Sequence, residues 1–365
     1  MSAPAPAVRP ADGGGEREPP VWARAPADAL ASAASGACAV VIALRRGDER
    51  AVVPYGTTVS GGGEPVTADT RFEIGSLTKC FTALLLAEQA ARGEVAYGDP
   101  LARFLPPEAL PRQRGGGPIT LLHLATHTAG LPRLPPGLLA GAAPRWFSNP
   151  YAAFTTDDLL RSLARTRPGA RPGERVRYSN FGVGLLGHLL TRAAPGGPGY
   201  GELLAERVLA PLGLRRTGCD PGVPQATGYW HGRPRPSWLI PGLPGAGALR
   251  SSAPELLTFL DALAAGPARG GPADGPLGAA LAEAVRPRLA LRGGTRRLAL
   301  VWNIRVRPEG AAYHHSGATR GFTAFAGFVP ERRTAVVALA NSTPAVDQAF
   351  LQRAYTTLVA LHRPG

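Results

Sequence analysis

Lysine is almost missing from this chain of 365 residues: Lys79 is the only one, although lysine and arginine together number 40. The remaining basic charge is arginine, which stays protonated at accessible pH. Any task that needs a side-chain amine to lose its proton therefore falls to position 79. Cysteine is scarce as well. Cys38, Cys80 and Cys219 are an odd number without metal-type spacing, which excludes a disulfide framework and describes small buried hydrophobes. No cofactor is expected.

Acidic residues number only 26, which leaves a net charge of +14 and an isoelectric point near 10.8. Such a balance raises nucleic acid as a partner, yet charged residues make up only 18% of the chain. The densest cluster, Arg161, Arg165, Arg167, Arg171, Arg175 and Arg177, is broken by "RPGARPG" turns and lacks the interleaved aromatics that single-strand binders stack on. Nucleic-acid binding is not expected. No apolar run reaches the roughly 18–20 residues of a membrane span, so no membrane partner is expected either. The stretch "ALASAASGACAVVIAL", 29–44, contains Gly36 and reads as a short helix followed by a first strand. Residues 1–20 lack the charged start and apolar centre of a secretory signal and read as a disordered lead, with the cytoplasm as the expected location.

Strand-like segments lie at the two ends and helix-like segments between them. "ACAVVIAL" (37–44) and "RAVVPYGTTV" (50–59) form an expected hairpin. "RLALVWNIRV" (297–306), "FTAFAGFV" (322–329) and "TAVVALAN" (334 onward) read as further strands, followed by a helix opened by Thr343 as N-cap and Pro344 at its first position. Helices are expected over 76–92, 119–127, 156–165, 179–193, 199–210 and 252–265.

Three short motifs carry the candidate chemistry. Ser76 and Lys79 stand three apart at a helix start, so their side chains share a face; the helix N-terminus favours an attacking alkoxide, and a desolvated lysine can accept the serine proton. S-x-x-K alone also describes a serine cap followed by a snorkelling lysine, but an arginine would serve that role equally well. Tyr178-Ser179-Asn180 ends an extended stretch before a helix, offering a phenol to relay a proton and an amide to bind substrate or lysine; a cap at Ser179 or Asn180 with Tyr178 packed on the core is the plainer reading. His315-Ser316-Gly317 enters a strand, where Gly317 permits close approach of substrate and the Ala318 amide is an oxyanion donor. His315 is a candidate positive or hydrogen-bonding group on the far wall, or an ordinary strand-end histidine.

Taken in this order, S-x-x-K, Y-x-N and H-S-G resemble the serine β-lactamase and penicillin-binding-protein superfamily, particularly its class C β-lactamase-like branch with family VIII esterases. The resemblance covers roughly residues 30–360 and includes "ITLLHLATHTAGLP" around His127 and "GAGALRSSAPELLTFLDAL". It implies an α+β fold: an antiparallel sheet flanked by the terminal helices over 21–75 and 285–365, a mostly helical domain over 76–284, and an active site in the cleft between them. It implies Ser76 as the acylated nucleophile, Lys79 and Tyr178 sharing proton transfer, Asn180 orienting lysine and substrate, and the amides of Ser76 and Ala318 as the oxyanion hole. His315 departs from the family's usual lysine. Arg320, just downstream, is a candidate for an anionic group or an exposed charge. The expected function is a serine hydrolase acting through an acyl-enzyme on a small-molecule ester or amide. An acyltransferase, a β-lactamase or D-amino-acid peptidase, and a non-catalytic binding protein of the same fold are the alternatives, and the oligomeric state stays open.

Overall fold

The structure, a computed structural model, describes residues 18–113, 115–138, 148–266, 275–291 and 293–361. Most of the expected lead, 1–17, lies outside the described residues, and 18–20 is irregular chain before the first helix.

Twelve strands are named in chain order: β1 Ala39–Arg46, β2 Glu49–Gly56, β3 Phe72–Glu73, β4 Gly228–Trp230, β5 Arg233–Arg235, β6 Arg250–Ser251, β7 Leu289–Ala290, β8 Arg296–Leu298, β9 Asn303–Arg307, β10 Gly310–Ala318, β11 Thr323–Val329 and β12 Thr334–Ala340. Eight of them form one antiparallel sheet in the order β2-β1-β12-β11-β10-β9-β8-β7. The first and last strands pair beside the β2 edge, with Val40 opposite Ala340 and Leu44 opposite Val336. Alternation sorts the central strands onto two faces. Val40, Ile42 and Leu44 face one core with Phe325 and Val336, whereas Val41 and Ala43 face the other with Ala326 and Val337. Pro54 is tolerated because β2 is an edge strand.

The helices are α1 Val21–Ser32, α2 Thr78–Ala91, α3 Leu121–Ala125, α4 Thr156–Arg165, α5 Asn180–Ala193, α6 Tyr200–Leu204, α7 Pro244–Gly247, α8 Ala253–Ala265, α9 Pro276–Val285 and α10 Ala349–Ala360. Helices α1 and α10 cover the first sheet face through Ala27, Leu30, Phe350 and Leu358. The other face packs on α8, whose Phe259 and Leu260 join a core continuous with the helical segment. Helix α2 is buried on nearly every side and runs through the middle of that core. Side-chain caps set two of the expected starts: Thr155 accepts from the Asp158 amide and Ser179 from the Gly182 amide.

Four readings of the sequence change. "RLALVWNIRV" is a hairpin, not one strand: Leu298 pairs with Asn303 and the chain turns at Val301, φ 67°. The run is apolar because the turn itself is buried, with Leu300, Val301 and Trp302 in the core. The last helix begins at Ala349, after Gln348 at φ 52°, and not at Pro344. Ser342 bridges Tyr229 and the Thr343 amide donates to the Tyr229 carbonyl, so this segment lies extended beside β4. His315-Ser316-Gly317 lies at the end of β10, leaving the strand instead of entering it. Helix 199–210 continues from α6 as a π-helical turn, Ala205–Leu209.

Candidate active site

A cleft of about 650 Å³ is lined by all three motifs. Ser76 sits in a single 3-10 turn, Gly75–Leu77, that feeds α2, and Lys79 is in the first turn of that helix. Because α2 is buried on all sides, Lys79 is fully buried too. Its Nζ donates to Ser76 Oγ at 2.8 Å and to the Ala246 carbonyl at 2.7 Å. That carbonyl belongs to α7, held near α2 by the Thr82 hydroxyl, which donates to Gly245 O at 2.7 Å. Burial lowers the Lys79 pKa to about 7, with the positive field of Arg133 acting in the same direction.

Tyr178 lies across from this amine, its ring 5.1 Å from Lys79 Nζ and 5.2 Å from the Arg133 guanidinium. Burial pushes its phenol up to about 12, against a hydrogen bond with Ser76 that works the other way. Serine, amine and phenol thus meet at one point. Asn180 opens α5 and its Nδ2 donates to Tyr151 Oη at 3.2 Å. The expected bond to Lys79 is not formed; Asn180 Oδ1 is buried with no partner among the described residues.

Two glycines bring β10 against the turn that carries Ser76. A Cβ on Gly317 would sit 1.9 Å from the Ile74 carbonyl oxygen and 2.9 Å from the Ser76 nitrogen, and one on Gly75, at φ +49°, 2.7 Å from the Ala318 nitrogen. Only glycine fits either place. Pair parity then decides where the Ala318 amide points. The Thr319 amide donates to Phe322 O, so Ala318, opposite Thr323, is a non-bonded pair and its N–H faces away from β11. On that side the pairing with β9 has already ended at His314. The amides of Ser76 and Ala318 therefore sit side by side, with that of Ala318 open to the cleft.

Ser316 is exposed in the cleft, whereas His315 is buried beneath it. Burial, with Lys79 nearby, lowers the His315 pKa to about 3, so the ring is neutral. This disfavours the positive group expected there over the hydrogen-bonding one, and His315 Nδ1 has no partner among the described residues. Cationic charge on the cleft wall comes instead from Arg320, 4.9 Å over the Trp230 ring, and from Arg133. Arg133, Tyr151, Trp238 and the Ala246 carbonyl were not singled out in the sequence. They come from loops or bare backbone, and no spacing marks them. Beneath the cleft, Glu73 accepts from the Thr319 hydroxyl at 2.7 Å and the Trp238 amide at 2.6 Å, tying the end of β10 to the far wall.

The β-lactamase family profile matches residues 27–361. The chain is 30% identical over 316 residues to a β-lactamase of Escherichia coli K12, covering 76% of this chain and 77% of that protein. It is 35% identical over 192 residues to the D-alanyl-D-alanine-carboxypeptidase/endopeptidase AmpH of the same organism, covering 52% of this chain and 48% of AmpH. It thus matches only about half the length of AmpH, and 53% of esterase EstB of Burkholderia gladioli, to which it is 32% identical over 215 residues that make up 56% of this chain. In fold it is similar to a class C β-lactamase from Rhodobacter sphaeroides, TM-score 0.76 at 24% identity over 93% of this chain and 98% of that one. A site in which serine, buried amine and phenol converge beside two backbone amides, on a fold shared with these proteins, belongs with a match of this extent: the chain is a member of the β-lactamase family.

Proposed function

We propose that the chain is a serine hydrolase that cleaves a carboxylic ester or small amide through an acyl-enzyme on Ser76. The observation that carries this reading is the buried Lys79 amine, at 2.8 Å from Ser76 Oγ and with its pKa lowered to about 7, beside a phenol held near 12. At neutral pH a large share of Lys79 is free amine while Tyr178 keeps its proton. Lys79 is then the base that starts the reaction and Tyr178 the acid.

Neutral Lys79 takes the Ser76 proton as Oγ bonds to the substrate carbonyl carbon, and the carbonyl π electrons move onto oxygen. That oxyanion receives the Ser76 and Ala318 amides. As the carbonyl reforms, the bond to the leaving group breaks; Tyr178 gives the departing atom its proton and regains one from Lys79. Water enters by the reverse route and returns Ser76 to its hydroxyl form. The unpartnered Asn180 Oδ1 is an acceptor for a substrate N–H. His315 supplies no charge to a substrate carboxylate, which leaves that role to Arg133 and Arg320; the ester reading is supported by EstB, a relative named as an esterase.

Intact-protein mass spectrometry tests the reading, after exposure to p-nitrophenyl esters, D-amino-acid amides and a β-lactam, with and without an amine acceptor. An acyl adduct that maps to Ser76 and disappears in Ser76→Ala is expected. Labelling that persists in that variant refutes the nucleophile. Decay of the adduct in water alone marks a hydrolase, and decay only with the acceptor marks an acyltransferase.

A further inference from the structure

The segment that presents Tyr178 has almost no secondary structure of its own, because α5 begins only at Asn180. It is held by the loop His127–Arg133. The Arg177 amide donates to the His127 carbonyl at 2.8 Å, and the Ser179 amide donates to His127 Nδ1 at 3.2 Å. The two amides that bracket Tyr178 therefore end on one residue, one on its backbone and one on its ring. The rest of the loop continues the pattern: Pro132 O accepts from the Ser179 hydroxyl at 2.6 Å and Arg133 O from the Asn180 amide at 2.9 Å.

His127 achieves this double grip at φ +58°, a left-handed conformation that, glycine aside, asparagine, aspartate and histidine adopt most readily. Its ring is buried, with its centroid 4.7 Å from that of Tyr178. Burial lowers its pKa to about 3, so Nδ1 remains an acceptor wherever Lys79 works as a base, and the ring adds no second charge beside the amine. A bare backbone carbonyl at this position would hold Arg177 alone. The ring is what fixes the other side of Tyr178.

We propose that His127 is a positioning residue for Tyr178, its carbonyl and ring nitrogen together setting where the phenol hydroxyl stands relative to Ser76. His127 touches no reacting atom in this assignment, which rests on the proposed role of Tyr178 as proton donor. Its contribution is then to kcat and not to substrate binding, and it vanishes when the phenol hydroxyl is removed.

The test is a double-mutant cycle on hydrolysis of an unactivated ethyl ester by the full chain, followed by acid release, because a departing alkoxide needs a proton where p-nitrophenolate does not. His127→Gly accepts φ +58° without strain and deletes only the ring. It is expected to lower kcat by about 10- to 100-fold, with KM within about threefold, the range lost when a proton donor is misplaced. In His127→Asn the side-chain Oδ1 takes the place of Nδ1 and asparagine tolerates the backbone, so most of that loss is expected to return. In a Tyr178→Phe background, His127→Gly should cost less than about threefold. His127→Met, which fills the ring volume without an acceptor, stands in should the glycine variant fail to fold. The assignment is overturned if a folded His127→Gly or His127→Met keeps wild-type kcat, or if the loss is as large in Tyr178→Phe as in the wild type. Wild-type activity in Tyr178→Phe alone overturns it by a different route, since the proton-donor reading then falls first.

Discussion

At the scale of single residues, the structure turns on an amine that burial has made a weaker base than water would leave it. Lys79→Met keeps the volume and removes the titrating group. We expect it to fold at least as stably as the wild type, since a desolvated cation is lost, while acylation measured by stopped-flow with a p-nitrophenyl ester falls by about 10²- to 10⁴-fold. Arginine is a poorer replacement than composition alone suggests, because a fully buried site has no room for the larger head. Two pH effects follow from the same shift. The rate of acylation should rise through about pH 7 as the amine loses its proton, and hold until Tyr178 ionises near 12. The folded pKa of about 7 lies below the ordinary 10.5, so the unfolded chain binds more protons between these values, and stability should increase with pH across that window. Melting temperatures of wild type and Lys79→Met between pH 7 and 10 check this; equal slopes would contradict it.

At the scale of elements, the site depends on how closely one strand end approaches one helical turn. A methyl group at residue 317 would collide with the Ile74 carbonyl and crowd the Ser76 amide. We expect Gly317→Ala to lower both the melting temperature and the rate of acylation, the latter by about 10²-fold or more as the oxyanion donors separate; a folded variant with wild-type rates would show that they do not act there. The sequence displayed these elements unevenly. The nucleophile helix, the Y-x-N cap and the paired terminal strands were legible because a side chain or a hydrophobic period marks each one. The turn at Val301 was not, since a buried turn is as apolar as a strand. The delayed start of α10 was hidden for another reason: Thr343 and Pro344 are good helix openers, and the pairing that holds this segment extended is with a strand 114 residues away, counted from Tyr229 to Thr343. Asn180 was placed correctly and bonded wrongly, because its partner Tyr151 lies in a loop with no pattern to find.

For the whole molecule, three buried histidines, His314 and His315 on β10 and His127 in the loop after α3, create a shared liability to acid. Burial lowers the pKa of His127 to about 3, of His314 to about 4 and of His315 to about 3. Each binds a proton more readily once unfolded, with an ordinary value of 6.5, so stability is whole above that pH and drains away as pH falls from 6.5 toward 3. Urea titrations at pH 7, 6, 5 and 4 should show the midpoint dropping, with His123 and His188, whose pKa burial also lowers, adding to the three; a flat response would mean that these rings are protonated in the fold. The solitary lysine has a last consequence, one that concerns observation. Growth on isotopically labelled lysine would place a single side-chain ε-carbon signal in the spectrum of a 365-residue protein. That one resonance should titrate with a midpoint near 7, and the active-site amine can be watched directly through every step of turnover without assigning anything else.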